Sequence, residues 1–266
     1  MQQVWQRARS FPDMVKPTVP EGYRLFEFDE IDSTNEEARR RASQGDYGPA
    51  WILAHAQTAG RGRRGREWVS PRGNLMATLL FAPGCDAPRA AQLSFVAALA
   101  VRDTLCTWLP ADGVRLKWPN DTLMNGRKIS GILLETASAG EAAVLPWIAV
   151  GIGINLTFAP QLASYPATFV NEHAEAPDAL GALSVLARAW DNRLRAWQSG
   201  GFSQTRSDWL QVAAGVGGQV EARLAGETIT GVFRTLASDG SLELELPDGQ
   251  RKTISAGEVF FPDAMR

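Results

Sequence analysis

The chain has 266 residues, 45% of them hydrophobic and 21% charged, which is enough apolar material for one large domain or one large and one small. Its 27 basic against 29 acidic residues give a formal charge of −2, which argues against a field built for nucleic acid and leaves anion binding to a local cluster. The sequence has no run of 18 apolar residues and no signal-type N-terminus, and Cys85 and Cys106 lack metal or disulfide spacing, so it reads as a reduced, cytoplasmic protein off the membrane.

In chain order, residues 1–22 carry three prolines among the first 20 and read as an irregular N-terminal arm. YRLFEF (Tyr23–Phe28) alternates like a strand. STNEEARRRASQG follows as a helix, with Ser33 and Glu36 at capping-box spacing and Gly45 placed to end it. AWILAHA (Ala50–Ala56) and NLMATLLF (Asn74–Phe81) read as buried strands, and one long helix is expected from about Pro88 to Leu109, stopped by Pro110. VRLKW then leads into a hairpin over DTLMNGRKISGILLET, turning at Asn125-Gly126, and VLPWIAVGIGIN reads as one more strand. Helices are expected over about Ala179–Gln198 and Gln204–Ala213.

The texture changes at GVGG (Gly215–Gly218). Short alternating strands follow, separated by Gly-Glu and Asp-Gly turns, and predict a small antiparallel β-barrel or sandwich. The expected organisation is therefore an α+β domain over 23–214, with a mixed sheet and flanking helices, and a second unit over 215–266.

The stretch GRGRRGREW (Gly60–Trp68) sets four arginines among three glycines. It matches the dinucleotide pattern at Gly60, Gly62 and Gly65 after a strand, but Pro71 and Gly73 follow where that motif needs a helix. A nucleic-acid clamp lacks support from the rest of the composition, and a purely solvated loop leaves four guanidinium groups repelling one another with no anion to organise them. A loop that closes over a phosphorylated or carboxylated small molecule uses both its forked donors and its backbone N–H groups.

Three further constellations are unremarkable singly: KWPND (Lys117–Asp121) is an ordinary Pro-Asn turn, Lys128 in RKISGILLE a solvated strand end, and GIGIN (Gly151–Asn155) a tight crossing. Together with EIDSTN and the arginine loop, in this order and spacing, they resemble the biotin protein ligases over about Glu30–Asn155. The C-terminal DGSLELELPDG and ISAGEVF are similar, more weakly, to that family's small SH3-like domain.

The resemblance implies a catalytic domain of the class II aminoacyl-tRNA synthetase and biotin ligase type. It also implies condensation of biotin with Mg²⁺-ATP to biotinyl-5′-AMP, then transfer to a lysine of the biotin carboxyl carrier protein of acetyl-CoA carboxylase. Ser33, Thr34, Asn35, Gln57, Gly60 and the backbone of Arg61 match positions around the biotin ureido ring, where a neutral ring calls for hydroxyls, amides and backbone groups. Arg63 and Lys128 match positions that hold the biotin carboxylate and the phosphate, where two cations suppress the repulsion between reacting anions.

Gly131 matches a position that lets the biotin tail lie against the strand, and Trp68 one that covers adenine. Arg61, Arg64, Arg66, Lys117, Asn120 and Asn155 match nucleotide-proximal positions. Asp121 matches a catalytic carboxylate and is expected to reach Mg²⁺ through water. Neither His55 nor His173 falls in a motif, so no histidine base is indicated. About 22 residues precede the first strand, too few for the family's DNA-binding domain, so a ligase without repressor function is expected, with a homodimer left open. The rival readings are a lipoate ligase and, outside enzymes, an anion- or nucleic-acid-binding module.

Overall fold

The computed structural model describes residues 19–137, 144–161 and 166–261. Most of the expected N-terminal arm lies outside the described residues.

The first strand, β1 (Arg24–Phe28), runs parallel to β2 (Ala50–Ala54), with helix α1 (Thr34–Ser43) crossing between them. From β2 onward every pairing is antiparallel, through β3 (Leu75–Phe81), β7 (Ile148–Ile154), β6 (Arg127–Thr136), β5 (Asp121–Met124) and β4 (Val114–Lys117). The result is a mixed seven-stranded sheet in the order β1-β2-β3-β7-β6-β5-β4.

The strands at its centre are buried on both faces, and the period-2 alternation sorts their side chains. Trp51, Leu53, Leu79, Val150 and Ile152 point into the main core beneath α3 (Leu93–Leu105) and α4 (Ala179–Gln211), whereas Ile52, Leu80 and Ala149 pack with Ala38 and Ala42 of α1. Further along that second face, Gly151 lies under Asn35 of α1, and beyond it Gly131 and Gly153 form a floor of small residues.

Helix α3 is buried almost all round, because it is sandwiched between the sheet and α4. It is shorter than expected. A turn of helix, α2 (Ala87–Ala91), runs into it through Gln92, which keeps helical angles but tightens the run: its N–H donates to Arg89 O, its O accepts from Phe95 N–H, and its side-chain oxygen accepts from Trp197 Nε1 at 3.0 Å. The chain beyond Leu105 closes in tight turns and does not extend the helix to Leu109. The two helices expected near the C-terminal end of the domain are both present, end to end within α4, and they meet at Gly201 (φ 70°, ψ −171°), whose non-helical angles would strain a side chain.

The capping box at Ser33 is half-formed. Ser33 caps Glu36 N–H at a long 3.5 Å, but its own N–H donates to Asp32 Oδ1 at 2.7 Å, because Glu36 is drawn away by arginines.

Beyond α4 comes a second sheet of β8 (Gln219–Arg223), β9 (Thr228–Leu236), β10 (Leu242–Glu245), β11 (Arg251–Ile254) and β12 (Glu258–Phe260), in the order β11-β10-β9-β8-β12. The barrel expected here is not closed, since the end strands β11 and β12 do not pair. Phe233, Leu242 and Val259 continue the main core, and Trp118 Nε1 of the first domain donates to Gly240 O at 3.0 Å.

Candidate active site

Residues 57–70 form a folded-back loop with its own short ladder. Trp68 N–H donates to Gly60 O at 2.9 Å, Gly62 N–H to Arg66 O at 2.7 Å, and Gln57 N–H to Ser70 O at 3.2 Å. The tip, Arg63–Gly65, is a single 3₁₀ turn with Arg64 (φ 57°) and Gly65 (φ 70°) in the left-handed region. No helix starts here, which removes the dinucleotide reading. Gly60 serves packing, since a β-carbon there would overlap Trp68 O and Ser70 Oγ.

Beneath the loop lies a cleft of about 590 Å³, a size suited to a small organic ligand. Every site residue expected from the sequence lines it except Gly60, which is buried behind the loop.

One end of the cleft is neutral and polar. Thr34 N–H and Thr34 Oγ1 donate to Gln57 Oε1 at 2.8 and 3.0 Å, and Gln57 Nε2 donates to Ser70 Oγ at 2.9 Å. Thr78 Oγ1 lies 2.8 Å from Thr34 Oγ1 and 2.6 Å from Asn35 Oδ1, and Asn35 Nδ2 donates to Glu135 Oε2 at 2.7 Å. Ser33, Thr34 and Asn35 are buried, held by the first turn of α1 over the central strands.

The other end is cationic. Lys128 Nζ pairs with one Asp121 oxygen at 2.6 Å, and Lys117 Nζ lies 3.8 Å from the other. Lys117 is only 6% exposed, and burial pushes its ammonium down to about 8, opposed by the Asp121 charge. Lys128 and Gly131 share the cleft face although they stand an odd three positions apart, because the β5–β6 register shifts at Ile129. The bulge at that point reverses the in-out parity of the strand.

The four arginines do not act together. Arg63 alone turns inward, with Nη1 donating to Asn120 Oδ1 at 3.2 Å and to Gly257 O at 3.4 Å; burial pushes its guanidinium down from its usual value, and the Arg64 charge adds to this. The Arg61 side chain leaves the cleft to pair with Glu36 at 3.1 Å. Arg66 reaches Glu258 of β12 at 2.8 Å, and Arg64 is exposed at the tip.

Trp68 lies close to Gly131. Its ring rests on the Gly131–Gly153 pair, near enough that a β-carbon at Gly131 would lie 3.1 Å away, and Lys128 Nζ sits 5.5 Å from its centroid. Asn120 Nδ2 donates to Ile132 O at 2.7 Å, and the amide of buried Asn155 donates to Thr168 O at 3.0 Å, so both amides brace backbone where they meet the cleft.

Sequence reasoning missed the C-terminal contribution. Arg223, Glu258 and Phe260 line the cleft, with the Phe260 ring 3.8 Å from Arg223 Cζ and 5.3 Å from Lys117 Nζ. The GEVF stretch was the available signal, but only the paired β8 and β12 bring it to the cleft. Gly153 was visible as a glycine-punctuated strand end, whereas Thr78 and Glu135 carried no signal of their own.

Comparisons with known proteins agree with this geometry. Residues 26–155 match the biotin/lipoate A/B protein ligase family, and residues 216–261 match the biotin protein ligase C-terminal domain. A biotin–[acetyl-CoA-carboxylase] ligase of Paracoccus denitrificans is 44% identical over 237 residues, covering 86% of this chain and 97% of that protein. The chain belongs to the biotin protein ligase family.

Within that family, the ligase of Mycobacterium tuberculosis is 33% identical over 85% of each chain. The biotin protein ligase of Aquifex aeolicus, solved in complex with biotin and ATP, superposes with a TM-score of 0.75 at 28% identity, covering 89% of this chain and 97% of that one. No helix among the described residues is long and apolar enough to cross a membrane.

Proposed function

We propose that the chain activates biotin with ATP and transfers it to a carrier lysine. The observation that carries this reading is the division of one cleft into a neutral hydrogen-bonding end at Thr34 and Gln57 and a cationic end at Lys128, Lys117 and Arg63. Biotin has the matching form, a neutral ureido ring at one end and a carboxylate at the other. Its relatives are biotin ligases, and the C-terminal match is to a biotin ligase domain, so lipoate is not favoured.

In the first step a biotin carboxylate oxygen bonds to the α-phosphorus of ATP and the bond to pyrophosphate breaks. Both partners are anions. Lys128 and Arg63 lower their repulsion and stabilise the charge growing on the phosphoryl oxygens, in a partly buried site where such interactions are strong. Asp121, paired with Lys128 Nζ at 2.6 Å, holds the ammonium in place. The loop over the cleft shields the mixed anhydride from water.

In the second step the carrier amine bonds to the biotinyl carbon, the C–O bond to AMP breaks, and the amine proton is released. Where Mg²⁺ accompanies ATP, it neutralises phosphate charge. Asp121 is the carboxylate to hold it through water, which fits an ion that keeps most of its waters and needs only one or two protein ligands.

The carrier is the biotin carboxyl carrier protein of acetyl-CoA carboxylase, following the Paracoccus and Mycobacterium ligases. Incubating the chain with Mg-ATP, a carrier domain and either biotin or lipoate, then measuring the intact mass of the carrier, tests substrate and reaction together. One biotinyl group added, with no lipoyl group in the parallel sample, is expected. Lipoyl addition, or no addition with either acid, overturns the reading.

A further inference from the structure

The bulge that aims Lys128 into the cleft is held from outside the sheet. Residues 166–171 run along β6 and β7 as a strap. Lys128 N–H donates to Pro166 O at 2.9 Å, and Thr168 N–H donates to Lys128 O at 2.9 Å, so the strap takes up both backbone polar groups of Lys128. Asn155 Nδ2 donates to Thr168 O at 3.0 Å, Asn155 N–H to Ile129 O at 2.8 Å, and Val170 N–H to Asn155 O at 3.0 Å. A bulge leaves ladder groups unpaired, and buried backbone groups need partners. Here the strap supplies them.

The strap is locked through Thr168, which is 0% exposed. Its hydroxyl donates to Glu172 Oε2 at 2.6 Å, and the hydroxyl oxygen lies 2.9 Å from His173 Nε2. Glu172 also pairs with Arg127 at 2.8 Å, the residue immediately before Lys128. The Thr168 hydroxyl therefore ties the strap to the strand position next to the lysine. Nothing in this cluster reaches the cleft chemistry itself, since buried Thr168 sits behind the strand.

We propose that Thr168 is a positioning residue for adenylation: locked by Glu172 and His173, it fixes the strap that sets the β6 bulge and so the direction of Lys128. The proposal rests on the role of Lys128 given above. Misplacing a reacting group by about an ångström costs up to roughly 100-fold, so a loosened strap is expected to lower turnover without removing the ring-binding groups at the other end of the cleft.

The test compares the full chain with Thr168→Val, Thr168→Ser, Lys128→Ala and the Thr168→Val/Lys128→Ala pair. It measures biotin- and ATP-dependent pyrophosphate release, with circular dichroism as the check on folding. Thr168→Val is expected to lower kcat about tenfold while the KM for biotin changes less than about threefold, and Thr168→Ser to restore kcat to within about twofold. In the Lys128→Ala background, Thr168→Val is expected to add little, because both changes act through one group.

An unchanged kcat in folded Thr168→Val, no rescue by Ser, or a full tenfold further loss on Lys128→Ala overturns the proposal. Should Thr168→Val not fold, Glu172→Gln carries the same expectation, with at least a threefold loss of kcat, and an unchanged kcat there overturns it too. A Lys128→Ala variant as active as the parent chain would instead remove the functional reading beneath it, which keeps the two failures apart.

Discussion

The Trp68 ring lies against Gly153 so closely that a β-carbon at that glycine would sit 2.5 Å from Trp68 Cε2. With Gly131 opposite Gly153 in the ladder, two missing side chains make the floor on which the indole rests. A ligand entering here shares that floor with the ring or displaces it.

Gly153→Val is therefore expected to lower biotin-dependent pyrophosphate release at least about tenfold while leaving the melting temperature within a few degrees, since a β-branched residue suits a strand and the change faces the cleft. Biotin is also expected to change tryptophan emission in the parent chain and to lose most of that change in Trp68→Phe. An equal change in both places the ring outside the binding floor.

The loop arginines separate by direction. Arg61 pairs with Glu36 outside the cleft, and Arg63 alone turns inward. Steady-state kinetics are expected to show Arg63→Ala losing about 100-fold in kcat, as for removal of one stabilising donor, and Arg61→Ala staying within about threefold. The reverse order would show that the arginines exchange places when substrates bind.

Lys117 predicts a pH dependence of known sign. Its folded value of about 8 lies below the ordinary 10.5, so between these values the unfolded chain holds more proton and stability rises with pH. The cost of burying the ammonium is full below about pH 8 and is relieved as pH rises toward 10.5. Lys117→Met is thus expected to be more stable than the parent at pH 7, by at most about 3 kcal/mol, with the difference shrinking above pH 8 in urea unfolding. Adenylation in the parent is expected to fall over the same rise in pH, as a cation facing the phosphates is lost.

The Arg66–Glu258 pair joins the loop to the C-terminal sheet at 2.8 Å with Arg66 largely exposed. Such a pair contributes only about 0–1 kcal/mol to stability, so its effect is expected in loop closure. Glu258→Gln is expected to leave the melting temperature almost unchanged and to speed hydrolysis of bound adenylate when no carrier is present, followed as AMP release. An unchanged rate would mean that the loop closes without the C-terminal sheet.

Much of the fold was legible because local rules and packing agree. The buried apolar runs of β2 and β3, the Asn125-Gly126 turn, with φ of 49° and 76°, and the Asp-Gly turns of the second sheet stand where their residue types put them. The tightening at Gln92 was not legible, since the Trp197 that its side chain meets is 105 residues away in sequence. Closure of the second sheet was not legible either, since strand periodicity fixes faces and says nothing of whether the end strands meet.

For the site, the sequence by itself determined which residues gather: the order of its motifs resembles the biotin protein ligases, so Thr34, Gln57, Arg63, Lys117, Asp121 and Lys128 could be chosen before any coordinates, and they line one cleft. Only the tertiary structure decided what each does there. It sent Arg61 to Glu36 and Arg66 to Glu258, set Trp68 on Gly153, and put Lys128 on the Gly131 face through a bulge held by the strap around Thr168. Residue type gives a side chain its charge and reach, but its direction is set by partners far along the chain, whose positions no local pattern encodes.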